Sequence, residues 1–168
     1  MAAQKNLNDL SLNFLRDIYY AERQILKALP KMAKAAENDQ LKQAFQQHRE
    51  QTEHQVERLQ HVLEKLGTRA RGQTCEAING IIEEGEEIVG DFEKGPVLDA
   101  ALAANAQAVE HYEMARYGAL IAWAKVTGQN EIVPLLEETL AEEKKADTLL
   151  NELANKDLNQ KAASKQAA

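Results

Sequence analysis

The sequence predicts an all-α protein: a four-helix bundle made of two antiparallel helical hairpins, joined by a long crossover that contains a fifth, shorter helix. Three observations predict it. Ala, Leu, Glu, Lys and Gln dominate a 168-residue chain with only 3 Pro, 8 Gly and 5% aromatic residues, a composition that favours helix over sheet. Apolar residues recur at about 3.6-residue spacing through five separate segments. Short turns link the long segments in two pairs, whereas about 30 residues lie between the pairs.

The first helix is expected from Leu7 to about Ala36, with Leu7, Phe14, Ile18, Ile25, Leu29 and Met32 on one stripe and a local bend at Pro30. Glu37-Asn38-Asp39 reads as a turn. The second helix runs from about Gln40 to Leu66, carries Leu41, Phe45, Val56, Leu59, Leu63 and Leu66 inward, and ends at Gly67. A basic loop containing Gly67, Arg69, Arg71 and Gly72 leads into an amphipathic segment, 74–92. There Gly80, Gly85 and Gly90 suggest a close packing partner. Gly95-Pro96 opens a third helix over 97–126, and Gly128-Gln129-Asn130 turns into a fourth over 131–154. Residues 1–154 thus read as one domain, and the polar, Ala-rich stretch 155–168 as a frayed tail. A long crossover between two hairpins is the ferritin-like variant of the bundle.

The bulk numbers narrow the function classes. A formal charge of −7 argues against nucleic acid or an anionic membrane surface as the main partner. One cysteine, Cys75, leaves no internal disulfide to form. No apolar run approaches the ~20 residues that span a bilayer, and residues 1–6 lack the apolar core of a secretory signal. A cytoplasmic protein is expected.

Stepping each helix at about 100° per residue places several polar groups on the apolar stripes. They are Glu22 on the first helix, and His48, Thr52 and Gln55 on the second. Glu110 and Glu113 lie on the third, with Asp99 nearer its start, and Glu143 and Asp147 on the fourth. Glu22, Thr52, Gln55, Glu110, Glu113 and Glu143 all fall within about a turn of the helix midpoints, near Ala21, Glu53, His111 and Glu142. They are therefore expected to meet in one central layer. No Lys or Arg lies inside the four apolar arcs, with Arg49 and Lys125 the nearest at their flanks. Uncompensated buried carboxylates cost several kcal/mol each or take up protons. A metal ion is the expected counter-charge, with a protonated carboxyl cluster or a water-filled core as the alternatives.

Three segments and one further residue carry a family resemblance. Leu15-Arg16-Asp17-Ile18-Tyr19-Tyr20-Ala21-Glu22-Arg23-Gln24-Ile25-Leu26-Lys27-Ala28-Leu29-Pro30-Lys31-Met32, Thr74-Cys75-Glu76-Ala77-Ile78 and Ala108-Val109-Glu110-His111-Tyr112-Glu113 resemble the YciF-like bacterial stress-protein family, as does Asp147 after Glu142-Glu143-Lys144-Lys145-Ala146. The resemblance covers about residues 7–154. It implies a ferritin-like fold similar to rubrerythrin and a cytoplasmic homodimer linked to stress responses. The wider ferritin-like pattern puts Glu on the first and third helices and Glu-x-x-His on the second and fourth. Glu22, Glu110, Glu113 and Glu143 match its acids, but Ala146 stands where one His belongs, and Thr52 and Gln55 replace the other pair. In that connectivity His48 and Asp147 should be neighbours, completing the site or orienting Glu143.

The candidate metal ligands are thus Glu22, Glu110, Glu113, Glu143, Asp147 and His48, with Thr52, Gln55 and Tyr117 behind them. Oxygen-rich ligation with one imidazole suits Fe or Mn, one or two ions per chain. Two function classes lead, a redox protein, such as a peroxide consumer, or a metal-free or weakly metal-binding dimeric scaffold in a stress response; a third, iron storage, needs cage assembly, which the family resemblance argues against. His54 and His61 read as solvated surface, His111 as surface or interface, and Tyr19 and Tyr20 as lateral residues for a subunit contact.

Overall fold

A computed structural model describes residues 5–164. The regular structure among them is all helical: α1 (Leu7–Ala35), α2 (Asp39–Lys65), α3 (Glu76–Asp91), α4 (Pro96–Val126) and α5 (Val133–Leu153), then a π-helical turn (Ala154–Leu158) and α6 (Asn159–Ser164). The helix ends follow local chemistry. Asn6 and Asp9 form a reciprocal capping box on α1, and the Asn38 side chain accepts from the Leu41 N–H to start α2. Pro96 occupies the first turn of α4, where its missing N–H costs nothing. Gly67 (φ 69°) and Gly128 (φ 76°) take the left-handed conformation just beyond α2 and α4, where a side chain would be strained.

The four long helices close a cycle in which α1 packs on α2, α2 on α5, α5 on α4 and α4 on α1. Neighbours run antiparallel. Arg58, late in α2, meets Glu138, early in α5. Asp99, at the start of α4, accepts from the backbone N–H groups of Glu37 and Asn38, just after α1 (2.7 and 2.9 Å). The crossover helix α3 lies over α1 and α4. It runs parallel to α1, with contacts advancing from Gln73–Arg16 through Asn79–Tyr20 to Glu86–Lys31. This is the ferritin-like connectivity.

Three details differ from the expectation. The chain after 154 is not frayed as far as Ser164. It stays helical through the π turn, buries Leu158, and is tied to the α1–α2 turn by a hydrogen bond from Asn38 to Asp157 (2.9 Å). Tyr19 is a core residue whose hydroxyl accepts from Gln60, and the buried α1 stripe is centred on Leu15, Ile18, Tyr19, Glu22 and Ile25. Packing α3 as well as α2 and α4 against α1 widens its buried arc beyond one stripe. Of the three glycines in α3, only Gly85 faces a tight neighbour. A Cβ there would lie 2.5 Å from Asn105 Oδ1.

Candidate metal centre

All four helices of the cycle contribute to a polar layer at mid-height. Glu22 (α1), Glu110 and Glu113 (α4) and Glu143 (α5) are each at most 2% exposed, and His48 and Gln55 (α2) are buried with them. One ligand atom each from His48, Glu110, Glu113 and Glu143 can be chosen so that all four lie within 4.8 Å of one another. His48 Nε2 stands 3.2 Å from Glu110 Oε1 and 3.9 Å from Glu143 Oε2, distances without the alignment of a hydrogen bond. Both oxygens of Glu113 and Glu143, one oxygen each of Glu22 and Glu110, and both His48 nitrogens are buried with no hydrogen-bond partner. Native interiors rarely leave such groups unsatisfied. So many around one point could hold a cation, and the oxygen-plus-imidazole donor set fits a hard or borderline divalent ion.

Burial pushes the Glu22, Glu110 and Glu113 carboxyls well above the ordinary 4.5, and the neighbouring acids push further: Glu143 on Glu22, Glu143 and Glu22 on Glu110, Glu22 and Glu143 on Glu113. Glu22 is partly relieved by a hydrogen bond from the Tyr117 hydroxyl (2.5 Å). Burial raises Tyr117 too, with Glu22 and Glu113 adding to it, so its phenol stays protonated.

The other expected residues sit around this core in different ways. Asp147 lies outside the cluster: its carboxylate accepts from Gln107 (3.2 Å) and pairs with His111 (3.2 Å) rather than with His48. Glu143 and Asp147 are four residues apart on one helix, but the α4 side chains at 107 and 111 capture the second acid. Thr52 donates to the His48 carbonyl of its own helix (2.8 Å). Gln55 donates to Glu142 (3.0 Å). His54 and His61 are exposed.

Sequence reasoning missed one residue at the edge of the layer. Arg58, its side chain 12% exposed, donates to Thr139 (2.7 Å) and Glu142 (3.0 Å) and pairs with Glu138 (2.9 Å). A helical wheel records where a Cα points, not how far a long side chain reaches along an interface. Its Glu142 and Glu138 partners on the facing helix were the signal that could have found it. The guanidinium is spent on those two acids, so among the described residues the four buried carboxylates have no Lys or Arg partner, only the His48 imidazole.

A ferritin-like helical bundle with a buried carboxylate–imidazole cluster at its centre is the class of protein that fold and site define. The chain belongs to the family described as a domain of unknown function, DUF892, whose model matches residues 6–163. It is 43% identical over 162 residues to protein YciF of Escherichia coli (strain K12), covering 96% of this chain and 98% of that one. The crystal structure of that E. coli stress protein superimposes with a TM-score of 0.89, over 94% of this chain and all of the other. YcfI of Rhodopseudomonas palustris is 53% identical, with a TM-score of 0.87 over 89% of this chain and 96% of that one. Among the described residues no helix is long and apolar enough to cross a membrane.

Proposed function

We propose that this YciF-like protein holds iron or manganese, one or two ions per chain, at the centre of its bundle, and works as a redox protein in a stress response. The supporting observation is the set of buried, unpartnered ligand atoms of His48, Glu110, Glu113 and Glu143 gathered within 4.8 Å. These four would hold the metal, with Glu22 beside Glu113 as the carboxylate that closes the α1 side. When bound, such an ion supplies reversible one-electron chemistry, peroxide reduction being the reaction class that suits a stress protein. The chain's own groups bind, shield and handle protons. Glu22 and Tyr117 form a buried donor–acceptor pair at the cluster, able to keep a proton at Glu22 Oε1 or release it as charge at the centre changes. Asp147, held by Gln107 and His111, lies close enough to Glu110 to raise its pKa. Leu15, Ile18, Ile25 and Leu59 are at most 3% exposed and exclude bulk water from the apolar layers of the core. The dimer and the cytoplasmic setting implied by the family resemblance belong to the same proposal.

The alternative is a metal-free dimeric scaffold. It draws on the same raised carboxyls, because a cluster that keeps its protons needs no ion. Metal content separates the two. Protein purified without chelators should hold about one or more Fe or Mn per chain, and metal should raise its melting temperature. Well under one ion per chain, with no thermal response to added Fe or Mn, leaves the scaffold. Glu110→Ala should abolish metal uptake and any peroxide consumption while leaving the helical circular dichroism intact.

A further inference from the structure

One turn from the acid layer, towards the α1–α2 turn, the bundle is not filled. A largely apolar cavity of about 240 Å³ is lined by residues from all five helices α1–α5. Its origin is in the sequence. Ala28, Ala44, Ala106 and Ala146 each present a small side chain where larger residues would close the space. Interiors ordinarily hold few voids larger than a water molecule. The cavity opens beside two exposed apolar residues, Val89 on α3 and Leu149 on α5. Its wall also carries two buried polar groups with unpartnered atoms, both nitrogens of His48 and Oε2 of Glu110.

We infer that this cavity is a binding site for one medium-length aliphatic molecule with a single uncharged hydrogen-bonding head, its chain along the apolar wall and its head at His48 and Glu110. A cavity of ~150 Å³ accepts the six carbons of benzene, so 240 Å³ suits about eight to ten carbons. The head is uncharged because that end is buried and lined by the acids Glu110, Glu113 and Glu143 without a Lys or Arg, so a carboxylate there would be desolvated with no cation to pair with. The head would use two of the proposed metal ligands, His48 and Glu110, so the site is assigned to the metal-free protein, and the apolar wall exists whether or not the redox proposal holds.

The test is calorimetric titration of 1-octanol into metal-free, full-length protein at neutral pH, with octanoate in a parallel arm. Wild type is expected to bind one octanol per chain saturably, and octanoate at least about tenfold more weakly. Ala106→Leu, which fills the middle of the cavity, should weaken octanol binding by about tenfold or more. Ala146→Leu, at a half-buried wall position, serves the same purpose should the first variant not fold. No saturable octanol binding, or undiminished binding by a folded variant, overturns the site. Octanoate binding as tight as octanol also overturns the assignment, since its head would then sit outside at Lys145. Protein that binds octanol but takes up no metal refutes only the metal centre, and the converse result refutes only this cavity.

Discussion

Glu113 and Glu143 each bury both carboxylate oxygens without a hydrogen-bond partner, and ionised acids gathered so closely would repel one another. In the metal-free protein, removing one charge should therefore help the fold. Glu113→Gln is expected to stabilise the apo form at pH 8 by on the order of 1 kcal/mol. That corresponds to about 2–4 °C in a thermal scan of a domain this size, and the same change should weaken metal uptake. A lower melting temperature for the apo variant counts against several ionised acids sharing the site. The pH dependence has a definite sign. Glu22, Glu110 and Glu113 have folded-state pKa values raised above 4.5, so the folded state binds more protons than the unfolded one above that pH. Stability of the apo protein then falls as pH rises from about 5 towards 8. Metal binding needs the ionised acids, so affinity moves the other way and rises with pH. Denaturant midpoints at pH 5 and pH 8, with and without Mn, check both signs. These acids were legible in the sequence because an acid on an apolar stripe is a local anomaly. Asp147 looked the same by that criterion, yet its carboxylate is held by Gln107 and His111, partners that only the α4–α5 contact supplies.

At the scale of single helices, the boundaries were largely written in caps and glycines: Asn6, Asn38, Gly67, Pro96 and Gly128 mark helix ends by their own chemistry. Two elements depend on neighbours instead. Helix α3 is seated by the contact between Gly85 and Asn105, whose side-chain amide donates to the Ile81 carbonyl (3.0 Å). Gly85→Ala places a methyl group 2.5 Å from Asn105 Oδ1. Although alanine is the better helix former, the change should destabilise the protein by about 1–3 kcal/mol. A rise in stability, measured by urea denaturation, means Asn105 moves aside at no cost. The C-terminal extension is the second such element. Its composition reads as a loose tail, but Leu158 is 1% exposed and Asp157 holds Asn38. Leu158→Ala is expected to cost about 2–4 kcal/mol and to speed amide exchange in residues 154–164. No marker within 155–164 announces this, because a single leucine in ten residues is too sparse a pattern for a periodicity argument.

Across the whole molecule, the antiparallel cycle of α1, α2, α5 and α4 brings residues 22, 48, 110, 113 and 143 to one level. With Mn or Fe in excess, the thermal midpoint should rise by several degrees at pH 8, as expected when a ligand binds only the folded state, and a chelator should reverse it. An unchanged midpoint at saturating metal removes the metal centre. The sequence by itself determined the all-helical class, the two hairpins with their long crossover, and the inward acids Glu22, Glu110, Glu113 and Glu143, all of which follow from periodicity and connection length along the chain. Tertiary structure alone decided which side chains meet: His48 with Glu110 rather than Asp147, Arg58 with Glu142, Tyr117 with Glu22, and the gap lined by four alanines from α1, α2, α4 and α5. The physical reason is that periodicity fixes the direction of a side chain from its own axis. Distance, reach and empty space depend on how far each helix slides and rotates against the others.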